Sequence, residues 1–180
     1  MVPVLMTRLR GRLDELTRRA RIDHLTGLAN RATLLEEGGR ELKRANRWHQ
    51  DIAVAVLDID NFKSVNDQHG HGVGDETIRS IAEELLAAVR SHDLVGRLGG
   101  DEFVIVLRDL SERDTQVLLD RVQQRLLASW RRDARSEALG VTIGVARVGG
   151  RDIELVDLIE EADRRLMSAK RSGKGSIVVV

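Results

Sequence analysis

Apolar positions recur along the chain with two patterns, at intervals of three to four residues in some segments and in short continuous or alternating runs in others. The first pattern is typical of amphipathic helices and the second of strands. In chain order they predict a helix over 30–47, a strand from Ile52 to Asp58, a helix from Gly74 to about Ser91, strands from Asp93 to Leu98 and from Glu102 to Leu107, a helix from Ser111 to about Trp130, a strand from Leu139 to Val148, a helix over 153–171 and a strand from Ser176 to Val180. Gly99 and Gly100 predict a tight turn, and Ser111 with Asp114 predicts a capping box.

The order of these elements predicts an α+β fold. Its core of strand, helix, two hairpin-connected strands, helix and strand is the βαββαβ arrangement of ferredoxin-like folds, shared by nucleotidyl cyclases and polymerase palms, here with added helices and a C-terminal strand. In that topology the first strand lies beside the third and antiparallel to it. We therefore expect Asp58, at the end of the first strand, to meet Asp101, in the turn before the third, at one edge of the sheet.

The first 22 residues precede this core and follow a heptad-like pattern. Their apolar positions are spaced alternately by four and three residues, at Val2, Met6, Leu9, Leu13, Leu16 and Ala20. This spacing is typical of a coiled-coil seam, but the segment is shorter than roughly three to four heptads and contains Pro3 and Gly11. A coiled-coil or signalling linker and an amphipathic helix packed on its own domain remain alternatives. We divide the chain into an N-terminal helix over 1–22 and one domain over 23–180.

Composition narrows the classes of partner. The 29 basic and 29 acidic residues cancel, so bulk charge does not recruit nucleic acid or an anionic membrane. Cysteine is absent, which excludes disulfides and thiolate metal sites, and aromatic residues make up only 2% of the chain, which disfavours stacking on nucleic-acid bases. No apolar run approaches the ~20 residues of a membrane span, and the N-terminus lacks the apolar core of a signal peptide. The chain is therefore predicted to be cytoplasmic, with no nucleic-acid partner and no membrane segment.

Two short segments place acidic residues at the predicted sheet edge. Asp58 closes an apolar strand and is followed by Lys63, and Gly99-Gly100 leads directly into Asp101 and Glu102. Carboxylates at a strand end can bind a hard cation such as Mg²⁺, and the glycines permit a positive φ and the close approach of a ligand. Taken singly, the first segment also fits a solvated loop and the second an ordinary hairpin. The second is distinguished by the pair of acids after its turn, at the edge where Asp58 is expected.

Six ordered segments of the chain resemble the GGDEF family of diguanylate cyclases, and the likeness runs from about Asp23 to Gly173. They are Asp23–Arg31, Asp58–Asp67, Gly70–Asp75, the signature Gly99–Phe103, Thr142–Ala146, and Ala162-Asp163 with Ala169-Lys170. The resemblance implies an enzyme that joins two GTP molecules into cyclic di-GMP and releases two pyrophosphates. It further implies attack by a ribose 3′-hydroxyl, assisted by two Mg²⁺ ions per active site, with Mn²⁺ as the alternative. Because each domain holds one GTP, it also implies a homodimer.

The resemblance assigns roles to individual residues. By this likeness the metal ligands are the side chains of Asp58, Asp101 and Glu102 and the backbone carbonyl of Ile59. The catalytic residues are Asp101, Glu102 and Lys63: Asp101 helps to deprotonate the attacking hydroxyl, and Lys63 stabilises charge at the reacting phosphate. Asn66 and Asp75 match positions that hydrogen-bond the guanine edge. The remaining substrate-binding positions are Phe62, Gly99, Gly100, Lys170 and Lys174.

A product-inhibition site is implied by Arg90 and Asp93. They form an Arg-x-x-Asp separated by five residues from Gly99, which is the spacing of the family's inhibitory site. There the arginine forks onto cyclic di-GMP and the aspartate accepts from a guanine. Arg121, on the next helix, is a candidate for a further contact. On the tetrapeptide alone, the alternative is a helix C-terminus with a favourably placed arginine.

The chain departs from the family pattern near its C-terminus. Met167 stands where the family usually has tyrosine, and Lys174 and Gly175 stand in place of arginine and asparagine. Lys174 keeps the charge but not the bidentate fork, so we expect a weaker hold on phosphate and no loss of function. The alternative function is a catalytically silent receptor for GTP or cyclic di-GMP. A polymerase-palm enzyme and a purely structural dimerisation module account less well for the signature and guanine-edge residues.

Overall fold

The computed structural model describes residues 21–132, 139–149, 153–173 and 175–179. These residues contain five helices and five strands, joined by turns and loops. In chain order they are α1 Arg31–Trp48, β1 Asp51–Asp60, α2 Phe62–His69, α3 His71–Ala88, β2 Leu94–Gly99, β3 Glu102–Arg108, α4 Glu112–Trp130, β4 Gly140–Gly149, α5 Leu155–Ser172 and β5 Ile177–Val179. Residues 1–20 of the predicted N-terminal helix, and Lys174, lie outside the described residues. Arg21 is part of a turn, and Ile22 bridges to Ala29.

The strands form one mixed sheet in the order β2-β3-β1-β4-β5. Strand β1 lies at its centre and pairs antiparallel with β3 on one side and with β4 on the other. Strands β2 and β3 form the predicted hairpin, and β5 adds to β4 in parallel at the far edge. These pairings confirm the ferredoxin-like α+β core with an added C-terminal strand.

Helices cover both faces of the sheet, which explains why β1 is apolar along nearly its whole length. Alternate residues of a strand point to opposite faces. Leu57 and Phe103 belong to a core cluster with residues of α3 and α4, whereas Val56 and Val104 belong to a second cluster with residues of α1 and α5. A central strand that is covered on both sides has no solvent face to be filled by polar residues. Within the described part of the chain, none of the covering helices combines the length and the apolar character of a membrane span.

Helix α2 was not predicted from the sequence. Among the residues Phe62–His69, only Val65 is fully buried, so the segment lacks the repeated apolar positions that indicate a helix. Gly70 ends α2 with φ 82°, a conformation that glycine adopts without strain, and it separates α2 from α3.

The predicted start of α3 at Gly74 is wrong by three residues. The helix begins at His71, and it ends at Ala88 where the pattern predicted about Ser91. Gly74 is a helical residue whose missing side chain leaves room for Asn66, because a Cβ on Gly74 would lie 2.0 Å from the Asn66 Oδ1 atom. Gly74 therefore marks a close contact between α2 and α3. From the sequence alone, the same glycine was interpreted as the start of a helix.

Ser111 caps α4 as predicted. The backbone N–H of Asp114 donates to the Ser111 hydroxyl oxygen at 3.1 Å, which satisfies one of the free N–H groups at the helix start. The Ser111 hydroxyl in turn donates to the Asp114 carboxylate at 2.6 Å. Two side chains thus fix the point at which the chain leaves β3 and enters α4.

Candidate active site

The end of β1 and the β2–β3 turn meet at one edge of the sheet, as the topology predicted. Asp58 of β1 is the register partner of Glu102 of β3, so Asp101 in the turn lies close to Asp58. Both aspartates line a cavity of about 750 Å³, which we call the edge cavity. Its lining consists of Asp58, Ile59, Asp60, Asn61, Phe62, Lys63, Ser64, Asp67, Gln68, Asp101 and Lys170.

A left-handed residue joins β1 directly to α2 at the wall of the edge cavity. Asn61 has φ 64°, and asparagine adopts this conformation more readily than most residues. The sharp turn puts Phe62 and Lys63 in the first turn of α2, with Phe62 half-buried against the core and Lys63 exposed. Free backbone N–H groups at a helix start favour anions, so this wall suits a phosphate group.

Arg97 ties the signature turn to the start of the domain. Its guanidinium donates to the Gly100 carbonyl through Nε at 3.0 Å and Nη2 at 2.8 Å, and to Asp23 Oδ1 through Nη1 at 3.0 Å. The side chains of Arg97 and Asp23 are only 11% and 17% exposed. Gly99 and Gly100 adopt φ values of 146° and 54°, so the turn depends on glycine. Sequence reasoning missed Arg97, because no spacing rule links residues 74 positions apart.

The edge cavity concentrates negative charge. Burial raises the pKa of the Asp101 carboxyl above its ordinary value, and the neighbouring charge of Asp58 raises it further. Burial also raises the pKa of Glu102, with added contributions from Asp58, Asp163 and Asp101. Lys170 offsets part of this charge, since its Nζ atom lies 2.5 Å from Asp58 Oδ1. The carboxylates therefore repel one another, and Lys170, together with Arg97 beside Asp101, compensates their charge only in part.

The donor set of the edge cavity fits a hard divalent cation. Asp58 and Asp101 contribute carboxylates to its lining, together with Ile59, whose side chain is buried in the core. Among the described residues, no group of three His, Cys, Asp or Glu side chains is placed to hold a metal ion by itself. Mg²⁺ usually takes one or two protein carboxylates and completes its shell with substrate phosphates and water. The repulsion between Asp58 and Asp101 is the feature that such an ion relieves.

The candidate guanine contacts lie where α2 meets α3, outside the lining of the edge cavity. Asn66 packs against Gly74, and the exposed Asp75 follows directly on α3. Asn66 is about one helical turn along α2 from Lys63. The lining instead includes Asp67 and Gln68, which sequence reasoning did not single out. The structure thus brings the two candidate guanine contacts near each other, beside the cavity that holds the carboxylates.

Asp60 is a buried carboxylate that sequence reasoning passed over. It is 3% exposed, and its Oδ2 atom accepts from the Thr142 hydroxyl at 2.7 Å and from the Gly175 N–H at 3.1 Å. Its Oδ1 atom has no hydrogen-bond partner within the described part of the chain. These bonds fasten the segment that follows α5 to the end of β1. The sequence pattern gave no signal for this contact. Asp60 follows Asp58 by two residues, so in the sequence the two aspartates look like a pair of acids in one exposed loop.

The predicted inhibitory residues lie at the C-terminal end of α3. The Asp93 carboxylate accepts the backbone N–H of Arg90 at 2.9 Å, and the Asp93 side chain is fully shielded from solvent. Arg90 is exposed, and Arg121 donates to the carbonyl of Ala88, two residues before Arg90. The structure therefore brings both arginines to one end of α3, while Asp93 holds the turn between α3 and β2 from inside.

A family model described as "Diguanylate cyclase, GGDEF domain" matches residues 20–176. The chain is 37% identical over 179 residues to diguanylate cyclase DosC of Escherichia coli strain K12, an alignment that covers 98% of this chain and 39% of that protein. It is 35% identical over 173 residues to the response regulator PleD of Caulobacter vibrioides strain NA1000 / CB15N, with coverage of 94% and 38%. The chain thus spans less than half the length of these curated relatives.

A solved structure shows the same architecture. The coiled coil and GGDEF domain of DgcB from Caulobacter crescentus, in complex with c-di-GMP, matches with a TM-score of 0.91 at 28% identity. The match covers 99% of this chain and 95% of that chain. The α+β sheet described above is therefore also the fold of that domain.

Proposed function

Because the chain belongs to the GGDEF family, we propose that it is a diguanylate cyclase that condenses two GTP molecules into cyclic di-GMP and releases two pyrophosphates. The observation that carries the proposal is the edge cavity, where Asp58 and Asp101 lie together with Lys170 as a partial counter-charge. Such a site suits a reaction in which phosphate charge is held and a hydroxyl is deprotonated. The similar protein DosC carries the name diguanylate cyclase, which supports the same reaction here.

In this reaction the ribose 3′-hydroxyl of one GTP attacks the α-phosphate of a second GTP. Asp101 lines the cavity beside Asp58, and a carboxylate at that position suits the removal of the hydroxyl proton. Lys63 and Lys170 line the cavity from two different helices and stabilise the phosphate charge. Two Mg²⁺ ions, or Mn²⁺ in their place, would supply Lewis-acid charge neutralisation when held by Asp58, Asp101, Glu102 and the carbonyl of Ile59.

The rest of the substrate site follows from the same assignment. Asn66 and Asp75 bind the guanine edge, because a carboxylate accepts from guanine N–H groups that adenine lacks. Phe62 supplies apolar contact in the first turn of α2, and Lys170 and Lys174 bind the triphosphate. Gly99 and Gly100 leave open space above the signature turn, since a Cβ at either position would meet no atom within 4 Å.

Incubation with GTP and Mg²⁺, followed by identification of the nucleotide product, tests this function. We expect cyclic di-GMP from the unaltered chain and its loss from Asp58→Asn and Asp101→Asn, because removing a metal ligand costs several kcal/mol of transition-state stabilisation. Asp109→Asn is the matched control, since Asp109 is an exposed aspartate just beyond the far end of β3 with a left-handed φ of 52° that asparagine tolerates. Binding of GTP without turnover would instead identify a silent receptor.

Base selection is a separate test of the guanine contacts. A site whose polar groups are covered by the bound base and left unpaired by the wrong one can discriminate by roughly 10⁴-fold. We therefore expect GTP to be used far better than ATP, and we expect Asp75→Ala to lose most of this preference. Comparable product formation from ATP and GTP by the unaltered chain would overturn the assignment of Asn66 and Asp75.

We also propose that cyclic di-GMP inhibits the enzyme at the turn after α3. The neighbouring positions of Arg90 and Arg121 support this, because two guanidinium groups can fork onto the two phosphates of the product. Asp93 supports the site by accepting the backbone N–H of Arg90, and by the family likeness its carboxylate also accepts from a guanine N–H of the product. Calorimetric titration should show micromolar or tighter binding that Arg90→Ala abolishes. Equal binding by both proteins would remove the site.

The last part of the proposal concerns dimer formation through residues 1–22, which precede the domain over 23–180. The reaction needs two GTP-loaded domains, and zero net charge gives them no electrostatic attraction. A coiled coil in this segment raises the effective concentration of one domain near the other to about millimolar. Specific activity should then fall on dilution much sooner for a chain beginning at Arg21 than for the whole chain. Superimposable dilution curves would favour a helix that packs on its own domain.

A further inference from the structure

Side chains from three other elements hold the short segment that follows α5. The backbone N–H of Gly175 donates to Asp60 Oδ2 at 3.1 Å and to the Thr142 hydroxyl oxygen at 3.0 Å. The carbonyl of the same glycine accepts from Nε2 of Gln123, on α4, at 3.0 Å. We call Asp60, Gln123 and Thr142 the Gly175 cradle. Both backbone polar groups of one exposed glycine are thus bound by side chains of β1, β4 and α4.

Lys174 stands between two glycines that are both held by hydrogen bonds. On its other side, the Gly173 N–H donates to the Ala169 carbonyl at 3.1 Å, and the Gly173 carbonyl accepts from the Ser176 hydroxyl at 3.1 Å. Gly173 and Gly175 adopt φ values of 143° and 77°, which favour glycine. Glycine loses more conformational freedom than any other residue when it is fixed. Hydrogen bonds on both sides of Lys174 therefore offset an unusually large ordering entropy.

The cradle joins this segment to the wall of the edge cavity. Asp60 and Lys170 both line that cavity, and the buried Thr142 hydroxyl donates to Asp60 Oδ2 at 2.7 Å. In the chain, Lys174 follows Lys170 by four residues and comes directly before the Gly175 N–H. The backbone next to Lys174 is therefore fixed at the cavity in which we place the triphosphate of GTP.

Two departures of this chain from the usual family pattern give the cradle more importance. Asparagine usually stands at position 175, whereas the glycine here has no side chain that could make contacts of its own. Lysine at position 174 lacks the guanidinium fork that aligns arginine on a phosphate, so its hold depends more on where its backbone is fixed. Ordering a binding group before the ligand arrives increases affinity, because the entropy of ordering it is not lost on binding.

We infer that the Gly175 cradle positions Lys174, so that its ammonium group is ready to bind the triphosphate of GTP in the edge cavity. The cradle residues act through the backbone that they hold and do not contact the nucleotide. Asp60 contributes the hydrogen bonds of its Oδ2 atom and is not a metal ligand. The inference rests on the proposed function, since it concerns the hold of that site on its substrate. Binding of GTP should therefore depend on the cradle, whereas the chemical step after binding should not.

The first test changes Gln123, which lies on α4 away from the candidate metal ligands. Gln123→Met removes the donor to Gly175 and keeps a good helix former of similar length. We expect the calorimetric dissociation constant and the KM for GTP to rise by about tenfold, while kcat changes by less than about twofold. Gln116→Met is the matched control, because the Gln116 amide, about two turns earlier on α4, donates to Asp120 at 2.8 Å and does not touch the cradle. Unchanged GTP affinity in Gln123→Met, or an equal loss in the control, overturns the inference.

A double-mutant cycle with Lys174 separates positioning from a general loss of structure. Lys174→Ala alone should weaken GTP binding by about tenfold, on the scale of one hydrogen bond to a charged group. Adding Gln123→Met to Lys174→Ala should weaken binding by less than about a further twofold, because both changes remove the same contribution. A purely structural cradle would lower the affinity equally with or without Lys174. Full additivity, or unchanged affinity in Lys174→Ala, therefore refutes the inference.

The conservative variant Asp60→Asn tests whether the hydrogen bonds of Asp60 or its charge are needed. An amide oxygen can still accept from Thr142 and Gly175, so GTP affinity and turnover should stay within about threefold of the unaltered chain. Loss of turnover in Asp60→Asn at unchanged GTP affinity would make Asp60 a catalytic carboxylate and overturn the inference. A chain that shows this pattern of GTP affinities but makes no cyclic di-GMP refutes the proposed function and supports the cradle. A chain that binds no GTP refutes both.

Discussion

Replacing Arg97 should weaken the fold and loosen the signature turn together. Its three hydrogen bonds join the Gly100 carbonyl and the Asp23 carboxylate, and both charged side chains are largely shielded from solvent. Removing one partner of a buried ion pair costs about 3–5 kcal/mol, and this pair is partly hydrated. We therefore expect Arg97→Ala to lower the free energy of unfolding by about 3 kcal/mol. Arg97→Lys keeps the charge but loses the fork, and it should recover about half of this.

The effect of Arg97→Ala should depend on pH in a defined direction. Burial by itself raises the pKa of Asp23, but hydrogen bonds from Thr26 and Arg97 outweigh it and hold the pKa below its ordinary value of 3.8. A lowered pKa stabilises the folded state above that ordinary value, and this contribution is lost as the pH falls through the pKa of the folded state. The stability gap between the variant and the unaltered chain should therefore be full at pH 7 and narrow below about pH 4.

Urea unfolding at several pH values, combined with a double-mutant cycle, measures both effects. Asp23→Asn and Arg97→Ala should couple by about 1–2 kcal/mol at pH 7, because they remove the same contact. Turnover should also fall in Arg97→Ala, since the Gly100 carbonyl loses the only side chain among the described residues that is seen to bind it. A stability loss under about 1 kcal/mol, or a gap that stays constant down to pH 3, would refute the assignment of Arg97 as the clamp of this turn.

Three further substitutions, the first with a matched control, test local packing and helix capping, with unfolding measured by heat or urea. Gly144→Ala should lower the free energy of unfolding by about 3 kcal/mol or more, because its Cβ would lie 2.2 Å from a backbone oxygen of α5. Gly39→Ala is the control and should be neutral or stabilising, because its Cβ would meet nothing within 4 Å. Gly74→Ala should displace Asn66 and weaken GTP binding more than it weakens the fold, which calorimetry can separate. Ser111→Ala should cost about 1 kcal/mol through loss of the cap, and no loss would contradict that role.

Local patterns were sufficient to predict most of the fold. The run from Ile52 to Leu57 has no polar residue, as a strand covered on both faces requires, and it is the central strand. The hairpin followed from Gly99 and Gly100, and Ser111 marked the start of α4. Helix α2 escaped prediction because it buries only Val65 and is held by the chain turn at its start.

The candidate site could be predicted only in part, for a physical reason. The meeting of Asp58 with Asp101 follows from topology, because the first and third strands of this core are neighbours. The contacts of Arg97 and Asp60 do not follow, since each depends on side-chain reach between elements that no periodicity connects. Charge relations such as that between Glu102 and Asp163 also need the packed helix α5 before they become visible.

The hydrogen bonds of Asp60 affect the order in which parts of the candidate site can fold. Asp60 lies in β1, yet its partners Thr142 and Gly175 follow 82 and 115 positions later. Contacts between such distant residues must overcome a large loop-closure entropy, so they form slowly and late. When β1 emerges from a ribosome, its neighbours β3 and β4 have not yet been synthesised. Lys170, which pairs with Asp58, is added later still. The signature turn can therefore form before Asp60 has its partners, and a chain cut short before Thr142 would carry that turn without these contacts.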